Sequence, residues 1–186
     1  MPEKISEKQF LELYDVHVGK IYRYIFFRVG AEETAQDLTS DVFLKSWEWL
    51  NNEKFISAKS KQLENPRAFF YQVARNLIAD FYRQKDRSPI SLEEIADKSI
   101  ADKKSGPMEE AAKAMEMESV REALRQLNDD YREVIIWRYL DEMEIKEIAQ
   151  ILEKSEGAVR VLLSRALADL KGVLGPKGRL FEIEHK

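Results

Sequence analysis

An all-α chain built as two small helical domains on either side of a flexible linker is the fold class this sequence predicts. Three observations predict it. Glycine and proline are scarce, 7 and 5 among 186 residues, so little interrupts the chain. Apolar side chains recur at steps of three and four nearly throughout, the period of a helix face and not of a strand. That period disappears between about Lys85 and Pro107, where serine, glycine and proline gather among mixed charges, as in a flexible connector.

The first predicted helix buries Phe10, Leu13, Tyr14, His17, Ile21, Tyr24 and Ile25 on one stripe, with His17 a packed residue and not a ligand. A second, from about Glu32 to Leu50, buries Ala35, Leu38, Val42, Phe43 and Trp47, and leaves Asp37 and Asp41 one turn apart on another face. Trp47 and Trp49 cannot share one stripe, so at least one is expected near a surface. Asn51 to Glu64 is polar and reads as a loop. Asn65 is placed as an N-cap and Pro66 as the first helical residue of a third helix. That helix buries Phe70, Ala74, Leu77, Ile78 and Phe81, and its other side shows Arg67, Tyr71, Arg75 and Arg83.

The second domain restarts with a helix ending near Leu127. Asp130 and Glu133 are spaced as a capping box for the next helix, Tyr131 to about Leu140. Ile145 to Glu153 forms a third helix, and a short turn through Lys154 and Ser155 leads to a fourth that buries Val159, Leu162, Leu163, Ala166 and Leu170. A small residue, Ala149, stands where these last two axes approach. Helix, tight turn, helix is the sequence picture of a helix-turn-helix. The predicted limits are a domain at 1–87, a linker at 88–107, a domain at 108–175 and a tail at 176–186.

Composition restricts the chemistry. There is no cysteine, and His17 and His185 are the only histidines, which argues against disulfides, thiolate metal sites and histidine-based catalytic centres. No phosphate loop, dinucleotide fingerprint or hydrolase elbow is present. Neither an enzyme, a cofactor nor a metal site is expected. The first ten residues carry four charges and no apolar signal core, and no apolar run approaches a membrane span, so a cytoplasmic protein without membrane insertion is expected.

A formal net charge of −4 does not favour a polyanion, but the charge is segregated. Residues 65–87 hold five basic side chains against two acidic, whereas residues 32–50 hold one basic against five acidic. Residues 157–186 hold six basic against three acidic, and residues 108–156 hold seven against fourteen.

These patterns nominate three surfaces. In the predicted helix-turn-helix, Ser155, Glu156, Arg160, Ser164 and Arg165 lie on the helix that would enter a major groove, and Arg160 suits a bidentate contact to guanine. The plain alternative is an antiparallel helix pair. Arg67, Tyr71, Arg75 and Asn76 offer phosphate contacts, stacking and amide hydrogen bonds, which suit partly single-stranded nucleic acid; the alternative is a solvated basic helix. Asp37 and Asp41 lack a neighbouring nucleophile or further ligand spacing, so an acidic protein-binding strip, or simply a solvated face, is the reading.

The order of the parts carries a resemblance. The stretch Asp37-Leu38-Thr39-Ser40-Asp41-Val42-Phe43-Leu44-Lys45-Ser46-Trp47, followed by Phe69-Phe70-Tyr71-Gln72-Val73-Ala74-Arg75-Asn76-Leu77, resembles the promoter-melting domain of extracytoplasmic-function sigma factors. Tyr131-Arg132-Glu133-Val134, Glu147-Ile148-Ala149 and Ser155-Glu156-Gly157-Ala158-Val159-Arg160 resemble their domain for the minus-thirty-five element. The resemblance implies a nonenzymatic subunit that binds core RNA polymerase and promoter DNA, and that an anti-sigma protein can hold inactive. It places Asp37, Leu38, Asp41 and Phe43 at the polymerase clamp. Arg67, Tyr71, Arg75 and Asn76 fall at the minus-ten element, and Ser155, Glu156, Arg160, Ser164 and Arg165 at the minus-thirty-five element.

The sequence also departs from the family. The loop before Asn65 is longer than usual, Glu153 stands where a turn glycine is common, and Leu162 and Leu167 stand where many members have arginine. Weak autonomous DNA binding is the expectation that follows. Two rival readings remain at this level: a stand-alone helix-turn-helix regulator, and a protein-interaction adaptor without DNA recognition.

Overall fold

The computed structural model describes residues 5–52, 64–87 and 119–174, and these are helical with short turns between helices. The chain divides into two compact units. The predicted linker, the C-terminal tail and most of the loop before Asn65 lie outside the described residues.

Helices α1 (Glu7–Val29), α2 (Glu32–Asn51) and α3 (Pro66–Arg87) build the first unit. A capping box starts α1: the Gln9 amide donates to Ser6 Oγ at 3.3 Å, and the Ser6 amide donates to Gln9 Oε1 at 2.9 Å. Gly30 ends it in the left-handed region at φ 78°, its amide bonded to the Phe26 carbonyl, so α2 can fold back at once. Glu32 and Glu33 in the first turn of α2 complement its dipole. Asn65 caps α3 as expected, accepting from the Ala68 amide at 3.1 Å.

The core of this unit is largely aromatic. Phe43 of α2 meets Phe70 of α3 at 4.9 Å between centroids and Tyr14 of α1 at 4.7 Å, while Phe10 packs edge-on to Trp47 at 5.1 Å. Ile21, Tyr24 and Ile25 complete the α1 face. Two hydroxyls sit on the buried side of α2 without penalty because each bonds back one turn: Thr39 to the Ala35 carbonyl and Ser46 to that of Val42, both 2.6 Å. The predicted stripes are buried at their centres and open at their ends. Tyr14 is exposed, and Leu13, His17, Trp47 and Phe81 are only half-buried. Trp49 is half-buried as well and rests on Phe69 at 5.1 Å.

The second unit holds α4 (119–125), α5 (Asp129–Ile135), residues 145–149 of α6 (Ile145–Leu152), and α7 (Glu156–Leu174). The predicted capping box is replaced by an earlier start. Asn128 is the N-cap of α5 and accepts from the Tyr131 amide at 2.9 Å, whereas Glu133 is buried and cannot reach back to the helix end. After Ile135 the helix widens into a π-turn over Ile136–Leu140, which carries Trp137 into the core with no exposed surface.

Arg132 ties α4 to α5. Its Nε donates to the Leu124 carbonyl at 2.8 Å, and Nη2 donates to those of Arg125 and Leu127 at 3.0 and 3.1 Å. These are carbonyls at the C-terminal end of α4 and in the turn beyond it, where a helix runs short of donors; that of Leu124 also accepts from the Leu127 amide at 3.2 Å.

Helix α6 is bracketed by two glutamates in the left-handed region, Glu142 at φ 53° and Glu153 at φ 54°. At the second of these the Lys154 amide bonds to the Ala149 carbonyl at 3.0 Å and the Glu153 amide to that of Gln150 at 3.3 Å, a Schellman ending. A glycine adopts this conformation without a Cβ penalty. Glu153→Gly is therefore expected to stabilise the fold by about 1 kcal/mol. Urea denaturation checks this, and an unchanged or lower midpoint would count against the strain argument.

Candidate nucleic-acid and polymerase surfaces

On α2, Asp37 and Asp41 stand on the surface one turn apart, as predicted from their spacing. Leu44, at 55% exposure, and Glu48 continue the same stripe at steps of three and four. The exposed face is thus acidic with one apolar side chain in it. Leu38 and Phe43, placed at the clamp by resemblance alongside the aspartates, are buried, as their place on the predicted core stripe of α2 requires. They fall on the core side of the helix and fix its position. Leu44 was missed, although its seven-residue step from Asp37 was the available signal.

On α3, Asn76 is exposed and Arg67 and Arg75 are half-buried. Tyr71 departs from its expected outward place. It has no exposed surface and its ring packs on Tyr24 at 5.3 Å, so it offers no stacking platform. The steps Tyr71, Ala74, Ile78 are themselves a core stripe, and both of Tyr71's companions on it are buried. Arg83 is exposed and pairs with Asp80 at 3.2 Å.

On α7, all five nominated residues are exposed. Ser155 caps the helix, accepting from the Ala158 amide at 3.2 Å, which leaves its hydroxyl proton free to donate outward. Arg160 bonds Glu156 at 3.0 Å across one turn. An exposed pair of this kind is worth less than about 1 kcal/mol, so the guanidinium is held lightly and can exchange its partner. Leu162 and Leu167 are half-buried, turned toward the packing side marked by Val159, Leu163, Ala166 and Leu170. Among the described residues no group of three or more histidine, aspartate or glutamate side chains is arranged to hold a metal ion. Nor is any described helix long and apolar enough to cross a membrane.

An all-helical protein whose second unit presents an exposed arginine-bearing helix after a tight turn belongs to the helix-turn-helix class. Residues 13–88 match the model of sigma-70 region 2, and residues 117–170 match that of sigma-70 region 4. The chain is 30% identical over 171 residues to the ECF RNA polymerase sigma factor BldN of Streptomyces coelicolor, covering 91% of this chain and 62% of that one. It is 29% identical over 163 residues to the RNA polymerase sigma factor YlaC of Bacillus subtilis, covering 86% and 88%. The chain belongs to the sigma-70 family, in its extracytoplasmic-function group. Its match to BldN spans a little under two thirds of that protein's length.

Two solved structures share the fold. The sigma factor RpoE, in complex with the anti-sigma factor NepR from Bartonella quintana, superimposes with a TM-score of 0.66 at 20% identity, over 90% of this chain and 97% of that one. CnrH in complex with the cytosolic domain of CnrY gives 0.65 at 23%, over 91% and 89%.

Proposed function

We propose that this chain is a sigma factor that binds core RNA polymerase and directs promoter-specific initiation without a catalytic centre of its own. The observation that carries the reading is the match of both sigma-70 regions, in order, over 13–88 and 117–170 of one chain. Residues 1–87 act on the polymerase clamp and the minus-ten element, 88–107 link, and 108–175 act on the minus-thirty-five element. The work is done in the cytoplasm, and melted DNA is held by binding energy and not by nucleotide hydrolysis.

Asp37 and Asp41, with Leu44 and Glu48 beside them, form the polymerase face; Leu38 and Phe43 support it from beneath. Arg67, Arg75 and Asn76 serve the minus-ten element, and Ser155, Glu156, Arg160, Ser164 and Arg165 the minus-thirty-five element. Two tethered DNA-reading modules delivered by polymerase gain from effective concentration, which compensates for a net charge of −4. Since both structural neighbours were solved in complexes, one of them with an anti-sigma factor, an anti-sigma protein is the proposed regulator.

The test is run-off transcription and binding with core polymerase. Asp37→Lys combined with Asp41→Lys should weaken polymerase binding by about tenfold or more, because reversed charge opposes a basic partner surface. Circular dichroism and the urea midpoint should stay put, since both side chains are exposed. Undiminished polymerase binding by a folded double variant would remove the clamp assignment.

A further inference from the structure

Val161 is half exposed, at 51%, and it is the exposed large hydrophobic residue of the second unit among the described residues. It stands on the outward face of α7, in the second turn of the helix. Gly157, Val161, Ser164 and Ala168 follow one another at steps of four, three and four, so they form one stripe, opposite the buried side of the helix. Arg160 and Arg165 flank that stripe, one on each side, and both are exposed.

Nothing in the fold asks for this arrangement. A β-branched side chain in a helix position that is half open to solvent is a poorer helix former than alanine, and partial burial offsets little of the difference. Gly157 is equally unforced: a Cβ there would meet only Ser155 Oγ, at 4.0 Å, so a larger residue would fit. Small residues at both ends of the stripe keep it low, so that the helix can approach a surface closely with Val161 as its highest apolar point.

We propose that Val161 reads the 5-methyl group of a thymine in the minus-thirty-five element, with Arg160 and Arg165 contacting base edges or phosphates on either side. The inference rests on the reading of α7 as the recognition helix and deepens it by naming a base. Thymine is the base whose major-groove edge carries an apolar group, and an apolar side chain at the groove floor discriminates in its favour. The two arginines supply the charge complementarity that places an apolar residue against DNA at all.

The experiment uses core polymerase reconstituted with the full chain. Templates are first selected from a library randomised across the minus-thirty-five element, and each selected thymine is then replaced by uracil, which removes only the methyl group. At one position uracil should lower open-complex yield about fourfold with the wild-type chain, the loss expected for one buried methyl. Val161→Ala should show almost no uracil penalty there, while Val161→Thr, which keeps a methyl, should retain most of it. Stability should change little in Val161→Ala, because the residue is half exposed and alanine is the better helix former.

Transcription with the same uracil penalty in wild type and Val161→Ala would overturn the methyl contact and leave the sigma-factor reading standing. Failure of the wild-type chain to give any transcript would remove both.

Discussion

Replacing Arg132 by alanine is expected to destabilise the second unit by about 3 kcal/mol, enough to unfold much of it near physiological temperature. One guanidinium satisfies three backbone carbonyls at or just past the end of α4, and its Nη1 also lies 3.6 Å from Asp129. The side chain is mostly buried, at 12% exposure, so water cannot freely take over those acceptors. Hydrogen bonds from a charged donor contribute about 1.5–3 kcal/mol each, and groups left unsatisfied in a partly buried place cost more than the bond alone. The three are not additive, since they share one side chain, which is why the estimate stays near the value of one or two.

Arg132→Lys should recover little, because a single ammonium cannot span carbonyls that the planar fork reaches together. Trp137, fully buried in this unit, reports the transition once Trp47 and Trp49 are replaced by phenylalanine. A shift below about 1 kcal/mol for Arg132→Ala would mean that the network is ornamental.

That network also marks where reading the sequence succeeds and where it stops. Helix limits were legible because periodicity and capping residues agree: Asn65 before Pro66, and the sharp turn at Ser155, are both found as predicted. The charge segregation of α2 was legible as well, since Asp37 and Asp41 are a helical turn apart whatever else the chain does. Sidedness was harder. Leu38 and Phe43 lie on the core stripe that periodicity predicts although resemblance places them at the clamp, whereas Tyr71, expected on the open side of α3, lies on the face that three-helix packing closes. For Tyr71 a competing stripe through Ala74 and Ile78 was present in the sequence and outweighs its basic neighbours.

The remaining misses depend on geometry that no spacing encodes. The π-turn at Ile136–Leu140 changes which side chains of that last turn face inward, and Arg132 reaches backward across a turn to a preceding helix. Glu133 looked like a capping partner of Asp130, but the helix begins two residues earlier and turns it inward. Departures from the family pattern were informative in a different way. Glu153 was noticed as a non-glycine at a turn, and it does hold the left-handed conformation; Glu142 does the same on the other side of α6.

Arg160→Ala is expected to lower transcription from a promoter that depends on its minus-thirty-five element by roughly 10- to 100-fold, the range of one lost bidentate base contact. Polymerase affinity should not change, because α7 lies in a different unit from the acidic face of α2. Stability should not change either: the variant loses only an exposed pair with Glu156, and alanine is the better helix former. The pairing makes a second, finer outcome. Glu156 competes with DNA for the guanidinium, so Glu156→Gln should leave binding intact or strengthen it if Arg160 alone carries the contact, and weaken it if the carboxylate itself accepts from a cytosine. Arg160→Lys should keep much of the phosphate attraction and its salt dependence while losing base discrimination, since a point charge lacks the fork. If Arg160→Ala instead reduced polymerase binding and transcription in equal measure, α7 would be a docking element for the enzyme and not a reader of the template.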